Sequence, residues 1–341
     1  MLPGLFQWLH FYRLLILIRM NAYQKSGLCI LIACTLSFLT GTSYGQVTQV
    51  ILPDSVFGRA VQASSLGFYK GNLYVPAEKC KLLFVLTPVK NGDEVNYLMS
   101  DVIDLNKGLL AGKKVEIEGM AVYGDHLFLT DEHQPAIYDF NLKSRELSAM
   151  ATDYVPLRKD VGEMGMEGIA VDEKNSLCYV LKERNKGFKS EIRVFRIVRD
   201  EGTYSLKYLR NILVEHEQLD SNPEKNTRYS DIFFNPADGM IYCLKSFYAG
   251  KGNSRNSYMI DRLKPDAYTN SVNELKSSAI LYLDITKNVD IAGFNTNLEG
   301  ITIQKGTIYL ISDNYEGERC CDLSGQGKTL MLSVSMEKVG K

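Results

Sequence analysis

A repeated hairpin pattern is the feature that most constrains the fold of this 341-residue chain. Each of five segments combines a short apolar strand, a turn containing Gly, Asn or Asp, and a second strand rich in Leu, Ile, Val and Tyr. Such segments predict β-hairpins. They read SSLGFYKGNLYVPAE from Ser64, IEGMAVYGDHLFLTDE from Ile117, MEGIAVDEKNSLCYVLKE from Met166, YSDIFFNPADGMIYCLKS from Tyr229 and NLEGITIQKGTIYLISDN from Asn297.

The spacing of the hairpins indicates how they are arranged. They recur roughly every 50 to 70 residues, and further strand-like sequence follows them, such as SEIRVFRIV from Ser190 and AILYLDI from Ala279. Strand-built repeats of this length are typical of propeller blades. The sequence therefore predicts an all-β protein, a five- or six-bladed β-propeller of four-stranded antiparallel blades.

The beginning of the chain has the composition of a secretion signal. Residues 1–45 contain no Asp or Glu, and Lys25 precedes the apolar stretch GLCILIACTLSFLT. Small residues follow before Gln46, as a cleavage site requires. We expect residues 1–45 to be a leader and secretion signal, with translation starting at Met20, and residues 46–341 to form one propeller domain.

Export to the periplasm or the extracellular space follows from this interpretation, and cleavage would leave no integral membrane span. Two alternatives are an N-terminal membrane anchor that is retained and a lipoprotein attached through Cys34. The net charge of −1 gives no sign of a nucleic-acid partner, which would favour a strongly basic surface. The 45% hydrophobic content is ample for a core.

Carboxylates stand at the open ends of the hairpins. Residues at equal distances from a hairpin turn face each other across the two strands. If the five hairpins are the inner hairpins of blades, their open ends converge on one mouth of the central channel. The facing pairs are Glu118 with Asp131, Glu167 with Glu183, Asp231 with Ser246, Glu299 with Asp313, and Ser65 with Glu78.

So many acids in one small space predict a metal site. Neighbouring like charges cannot all stay ionised without compensation, and a hard cation with oxygen ligands provides it. One alternative is a structural clasp in which the acids bind backbone amides between blades, and another is an active-site acid cluster. The expected calcium ligands are Glu118, Glu167, Asp231, Glu299, Asp131, Glu183 and Asp313.

The positions of the cysteines predict which of them form a disulfide. Ring closure would make the first and last repeats neighbours, so we expect a disulfide from Cys80 to Cys320 or Cys321, whereas Cys178 and Cys243 should be inert core residues.

Basic residues at the end of the third and fourth hairpins would stand beside the acidic mouth. Arg184, Lys245 and Arg255 could bind an anionic group there. The alternative is that they belong to solvated, charged loops.

Several of these segments resemble a known family. MEGIAVDEKNSLCYVLKE, IRVFRI, YSDIFFNPADGMIYCLKSFYAG and NLEGITIQKGTIYLISDN with GKTLML resemble the bacterial phytase-like domain described as having esterase-like activity. The five-repeat EGI layout is similar to SdiA-regulated propellers, which are related to NHL-repeat propellers. The resemblance covers Ala63 to Ser335 and implies a secreted or periplasmic propeller with a calcium site. The phytase-like label also implies phosphoester or ester hydrolysis.

The chain departs from that pattern in its first repeat, where SSLG replaces an acidic entry. It also departs in its fourth repeat, where LKS stands in the place of the acid and arginine that the phytase-like pattern tends to show. Two classes of function therefore stay open. The first is an exported calcium-binding module that holds a small-molecule or protein ligand at the channel mouth. The second is a metal-assisted hydrolase of phosphate esters or lactones. The sequence identifies no catalytic residue.

Overall fold

Five antiparallel sheets, each built on one of the predicted hairpins, make up the computed structural model of the protein. The described residues all belong to the unit Gly45–Val339. They are residues 47–53, 57, 61–91, 94–153, 165–183, 189–215, 227–247, 257–265, 274–278, 280–285, 297–313 and 329–338.

The first two blades are four-stranded, with strands numbered along the chain and ordered from the innermost outward. Blade 1 consists of β2 (Gly67–Tyr69), β3 (Asn72–Ala77), β4 (Leu82–Asn91) and β5 (Glu94–Asp104). Blade 2 consists of β6 (Ile117–Tyr123), β7 (His126–Asp131), β8 (Ala136–Asn141) and β9 (Leu147–Ala149).

Blade 3 is larger than expected, because two short strands pair in parallel with its outer strand. Its four antiparallel strands are β11 (Met166–Asp172), β12 (Leu177–Lys182), β13 (Glu191–Asp200) and β14 (Thr203–Glu215). The two parallel additions on β14 are β10 (Ala151–Thr152) and β18 (Glu274–Ser278).

The last two blades complete the ring, together with two short 3-10 turns at Gly108–Leu110 and Met336–Lys338. Blade 4 consists of β15 (Arg228–Asn235), β16 (Met240–Phe247), β17 (Ser257–Leu263) and β19 (Ile280–Asp284). Blade 5 consists of β20 (Asn297–Gln304), β21 (Thr307–Asp313), β22 (Met331–Ser335) and β1 (Val47–Val50).

Ring closure follows from two sets of contacts. The innermost strands contact one another in the order β2, β6, β11, β15 and β20, and β20 returns to β2. The outer strand of blade 5 comes from the other end of the described chain, since β1 pairs antiparallel with β22 from Val47↔Val334 to Val50↔Met331. The predicted β-propeller is confirmed, and the described residues form five blades.

Each hydrophobic cluster lies between two neighbouring blades, as expected when both faces of a blade are covered. Blades 3 and 4, for example, meet through Tyr179 and Phe234, whose rings stack at 5.8 Å. Blades 1 and 5 meet through Leu66, Leu73 and Ile311, all at most 1% exposed. Burying each such side chain contributes about 1.5–3 kcal/mol.

The inner hairpins turn tightly, which fixes the register of both strands. In blade 5 the turn residues Lys305 and Gly306 have φ of 49° and 74°. Two successive positive φ values are typical of the two-residue type I′ turn, whose twist matches that of the flanking strands. The turn sets the pair Gln304↔Thr307, and counting from it locates every residue toward the open end of the hairpin.

Candidate functional site

Every inner hairpin contains one extra residue near its open end, within the inner strand in blades 2 to 5 and just before β2 in blade 1. In blade 2, Ile117 pairs with Asp131 and Gly119 with Thr130, so Glu118 has no partner across the ladder. In blade 5, Glu299 is the extra residue between the pairs Leu298↔Ser312 and Gly300↔Ile311. Such β-bulges turn a side chain away from the regular alternation of a strand. Here they redirect one residue near the open end of each hairpin.

The bulges define which residues are equivalent among the blades. Counting back from each turn places two serines and three glutamates at the bulge and small residues with one aspartate at the next position. The bulge position holds Ser64, Glu118, Glu167, Ser230 and Glu299. The position after it holds Ser65, Gly119, Gly168, Asp231 and Gly300.

The sequence-based alignment was therefore wrong by one residue in two repeats. It matched Asp231 with the three glutamates, whereas Ser230 is their structural equivalent, because Asp231 pairs with Leu244 after the bulge. It also treated Ser65 as the opening residue of blade 1, where Ser64 holds that position.

Across each hairpin from the residue two positions before the bulge, the residues at or just after the end of the second strand are again mostly acidic. They are Glu78, Glu132, Glu183, Ser246 and Asp313. The expected partner in blade 2 was Asp131, which lies one residue earlier. Its Oδ1 accepts backbone N–H bonds from Glu116, His133 and Gln134, and its Oδ2 accepts a bond from the Tyr138 hydroxyl. Asp131 thus fastens the turn after β7.

The electrostatics group the remaining acids at one end of the channel. We call this group the carboxylate ring, and it consists of Glu78, Glu118, Glu132, Glu167, Glu183, Glu299 and Asp313. Burial, together with the charges of Glu78 and Glu299, raises the pKa of Glu118 well above its usual range. Burial and the charge of Glu183 do the same to the pKa of Glu167.

The pKa of Glu299 reflects a positive charge that lies next to the carboxylate ring. Burial raises the pKa of Glu299 to about 8, with Asp313 adding to the rise, while Arg228 opposes it. Arg228 is the first residue of β15, and its Nη1 donates to Glu183 Oε1 at 2.5 Å. Sequence reasoning missed this arginine, because no other repeat has a basic residue at the same place.

Glu183 has one oxygen left over. Its side chain is 2% exposed, and its Oε2 has no hydrogen-bond partner within the described part of the chain. A buried carboxylate oxygen is a strong acceptor, and leaving it unpaired costs about 1–3 kcal/mol or more. Glu183 therefore offers an acceptor that a cation or a donor group could satisfy.

A second polar cluster lies next to the ring and joins the blades. Asp231 Oδ1 accepts the N–H of Ile232 at 2.8 Å, and its Oδ2 accepts the N–H of Ile301 at 2.9 Å and the Ser65 hydroxyl at 3.2 Å. The Ser65 oxygen in turn accepts the N–H of Met120 at 3.2 Å. One carboxylate and one hydroxyl thus connect blades 4, 5, 1 and 2.

Glycine is required where blades 3 and 5 approach this cluster. A Cβ on Gly168 would lie 2.5 Å from Asp231 Oδ1, and a Cβ on Gly300 would lie 2.8 Å from the Ser65 Cα. Asp231 itself fits the alternative expectation of a structural clasp, because its carboxylate accepts hydrogen bonds from backbone amides of two blades.

The predicted anion-binding residues have different placements. Lys245 lies inside blade 4, where its Nζ is 2.8 Å from Asp261 Oδ2 and both side chains are buried. The Tyr229 hydroxyl donates to the same Asp261 oxygen at 2.7 Å. The charge of Lys245 is therefore offset within the blade. Arg184 and Arg255 lie outside the described residues.

The cysteines agree with the expectation as far as the structure describes them. Cys178 and Cys243 are free and fully buried, and burial raises the pKa of each thiol. Cys80 is disulfide-bonded, and its partner is neither of those two residues. Cys320 and Cys321 lie outside the described residues, so the pairing with one of them stays a prediction.

The leader and the metal site were also expected from the sequence. Residues 1–45 lie outside the described part, and among the residues that are described no helix has the length and apolar character to cross a membrane. Nor do any three His, Cys, Asp or Glu side chains of that part stand close enough together to hold a metal ion. The donor chemistry of the carboxylate ring nevertheless suits a hard cation, and Glu183 Oε2 has no partner among the described residues.

The fold and the site define a five-bladed β-propeller with a carboxylate-lined channel mouth. The phytase-like family, described as "Esterase-like activity of phytase", matches residues 67–315, which is more than half of the chain. The chain belongs to this family. No curated protein sequence matches it.

Solved structures show distant similarity. The chain is 12% identical to glutaminyl cyclase from Myxococcus xanthus, with a TM-score of 0.45 over 84% of this chain and 93% of that one. It is 13% identical to a putative glycoside hydrolase from Parabacteroides distasonis ATCC 8503, with a TM-score of 0.43 over 87% and 95%. A nidogen/laminin complex matches with 15% identity and a TM-score of 0.36 over 69% and 68%. At these scores the similarities carry no conclusion about function.

The Asp231 clasp generates a prediction about stability. Asp231→Ala should lower the free energy of unfolding by about 3 kcal/mol, because it strands buried donors of Ile301 and Ser65. Ser65→Ala should cost less, and the double variant should cost less than the sum of the two, since the residues share one network. Guanidinium denaturation measures all three.

The control is Glu146→Ala, at an exposed position. Substitutions at such surface positions usually change stability by less than about 0.5 kcal/mol. An Asp231→Ala variant no less stable than the Glu146→Ala variant would show that the carboxylate does not hold the blades together.

Proposed function

We propose that the protein is a calcium-binding propeller that holds a ligand at its carboxylate-lined channel mouth. The observation that carries this proposal is the carboxylate ring, in which burial and neighbouring acids raise the pKa of Glu118, Glu167 and Glu299. Like-charged groups in this state are stabilised by a cation, and calcium prefers carboxylate oxygens.

The ligands would come from three blades. Glu118, Glu167 and Glu299 occupy equivalent bulge positions in blades 2, 3 and 5, and Glu183 adds a buried oxygen that has no partner within the described part of the chain. Asp131 and Asp231 are left out of the proposed set, since their carboxylates already accept several hydrogen bonds from backbone amides. Carboxylates from separate blades would make a bound ion a link across the channel.

Calcium should raise the melting temperature of the wild-type protein, because a ligand that binds only the folded state stabilises it by mass action. At a hundredfold excess over Kd the gain is about 2.7 kcal/mol. Glu167→Gln and Glu299→Gln should each lose most of this response while the fold survives. Differential scanning calorimetry with calcium and with chelator measures the effect.

Glu146→Gln serves as the matched control, since the same chemical change at an exposed position should leave the calcium response intact. Elemental analysis of the purified protein gives an independent reading. If the wild-type protein melts identically with calcium and with chelator and contains no metal, the ring is not a calcium site.

A hydrolase is the second candidate, and the family match to an esterase-like activity of phytase favours it. A bound metal would polarise a phosphoryl or carbonyl group and activate water. Phosphate esters and lactones are the substrate classes to test. Turnover should require calcium and disappear in the Glu167→Gln variant but not in the Glu146→Gln variant. A protein that binds calcium yet hydrolyses neither class would be a binding module.

We also propose that the chain is exported. The leader without acidic residues supports this, as does the disulfide at Cys80, because disulfides persist in oxidising compartments. The intact mass of the secreted product should correspond to a start near Gln46, and a non-reducing peptide map should join Cys80 to Cys320 or Cys321. A mature product that still contains Trp8 would contradict this cleavage.

A further inference from the structure

A single arginine enters the carboxylate ring from blade 4. Arg228 contacts Glu183 of blade 3 through one nitrogen, Nη1, at 2.5 Å. Glu183 is also the main cause of the raised pKa of Arg228, and Glu299 of blade 5 and Glu167 of blade 3 contribute to it. The guanidinium therefore lies in the field of acids from both neighbouring blades.

No other blade has a basic residue at the position equivalent to Arg228, although Lys79 of blade 1 pairs with Glu78 of the ring at 2.9 Å. The equivalent residues in the other blades, two positions before the bulge, are Gln62, Glu116, Gly165 and Asn297. Arg228 is thus the one basic residue among five equivalent positions, and guanidinium groups stay charged under all ordinary conditions. Its charge offsets part of the negative charge that surrounds it.

The contact between Arg228 and Glu183 uses only part of what each group offers. Arg228 Nε is buried and has no hydrogen-bond partner among the described residues, and Glu183 Oε2 has none either. An arginine and a carboxylate that are fully matched form two parallel hydrogen bonds, which this pair does not. The Arg228 side chain is also 33% exposed, so it has room to move toward solvent.

We propose that Arg228 is a resident cation that competes with a bound metal ion for the carboxylate ring and thereby sets the affinity of the site. This inference rests on the proposed function, since the competing ion is calcium. An ion that binds beside the guanidinium meets a like charge, which weakens its binding. The guanidinium also occupies Glu183, which would otherwise be free to serve as a ligand.

The test is calcium titration by isothermal calorimetry on the wild-type protein and three variants. Arg228→Met removes the charge but keeps an unbranched side chain, and it should bind calcium at least tenfold more tightly than wild type. Arg228→Lys keeps the charge and should stay within about threefold of wild type. Arg145→Met is the control, because Arg145 forms an exposed ion pair with Asp101 between blades 1 and 2.

The outcomes separate this inference from the proposed function. If wild type and Arg228→Met bind calcium equally well, Arg228 does not compete, while the calcium site stands. If only Arg228→Met binds calcium, the arginine fills the site in the wild-type protein, and the proposed function is wrong in its choice of ion. If neither binds calcium, both ideas fall.

A purely structural role for Arg228 would give a different result. It would lower the stability of Arg228→Met without tightening calcium binding, and equal or weaker affinity would overturn the proposal. Should Arg228→Met fail to fold, Arg228→Gln provides the same loss of charge with a side chain that can still hydrogen-bond to Glu183, and the same tenfold gain is expected.

Discussion

One buried carboxylate, together with the hydroxyl that it binds, connects blades 4, 5, 1 and 2. A single blade has no core of its own, because its two faces are covered by the neighbouring blades. The inner strands of the blades must therefore pack against one another around the centre of the ring. Asp231 binds the amides of Ile232 and Ile301 and the hydroxyl of Ser65. It can do so only because Gly168 and Gly300 leave space at the equivalent positions of blades 3 and 5. One acid among small residues thus joins strands that are far apart in sequence.

The same backbone feature produces the candidate site. In each inner hairpin the bulged residue comes directly before the residue that packs against the neighbouring blade. The bulge redirects the side chain of this preceding residue. In three blades this residue is Glu118, Glu167 or Glu299. Close packing at the axis therefore gathers carboxylates at the channel mouth. Burial and, to a smaller extent, their mutual repulsion raise their pKa values, and Arg228 opposes the rise at Glu299.

Much of the fold could be predicted from the sequence, because alternating apolar residues and Gly-containing turns report on local structure. The register near the hairpin mouths could not, because a bulge adds a residue without any signature in composition. That is why Asp131 was chosen in place of Glu132 and Asp231 was matched with the glutamates. Arg228 was missed for a different reason: repeats draw attention to shared residues, whereas this charge occurs in one blade only.

The two blades without a glutamate at the bulge explain the asymmetry of the mouth. Ser64 donates to the Ile117 carbonyl of blade 2 at 2.6 Å, and Ser230 donates to the Leu298 carbonyl of blade 5 at 2.9 Å. An ionised glutamate cannot donate a hydrogen bond, so it could not make either contact. The serines therefore join blade 1 to 2 and blade 4 to 5, while the glutamates of the other three blades are left for the channel. A ligand at the mouth would consequently meet bulge carboxylates from blades 2, 3 and 5 but none from the bulges of blades 1 and 4.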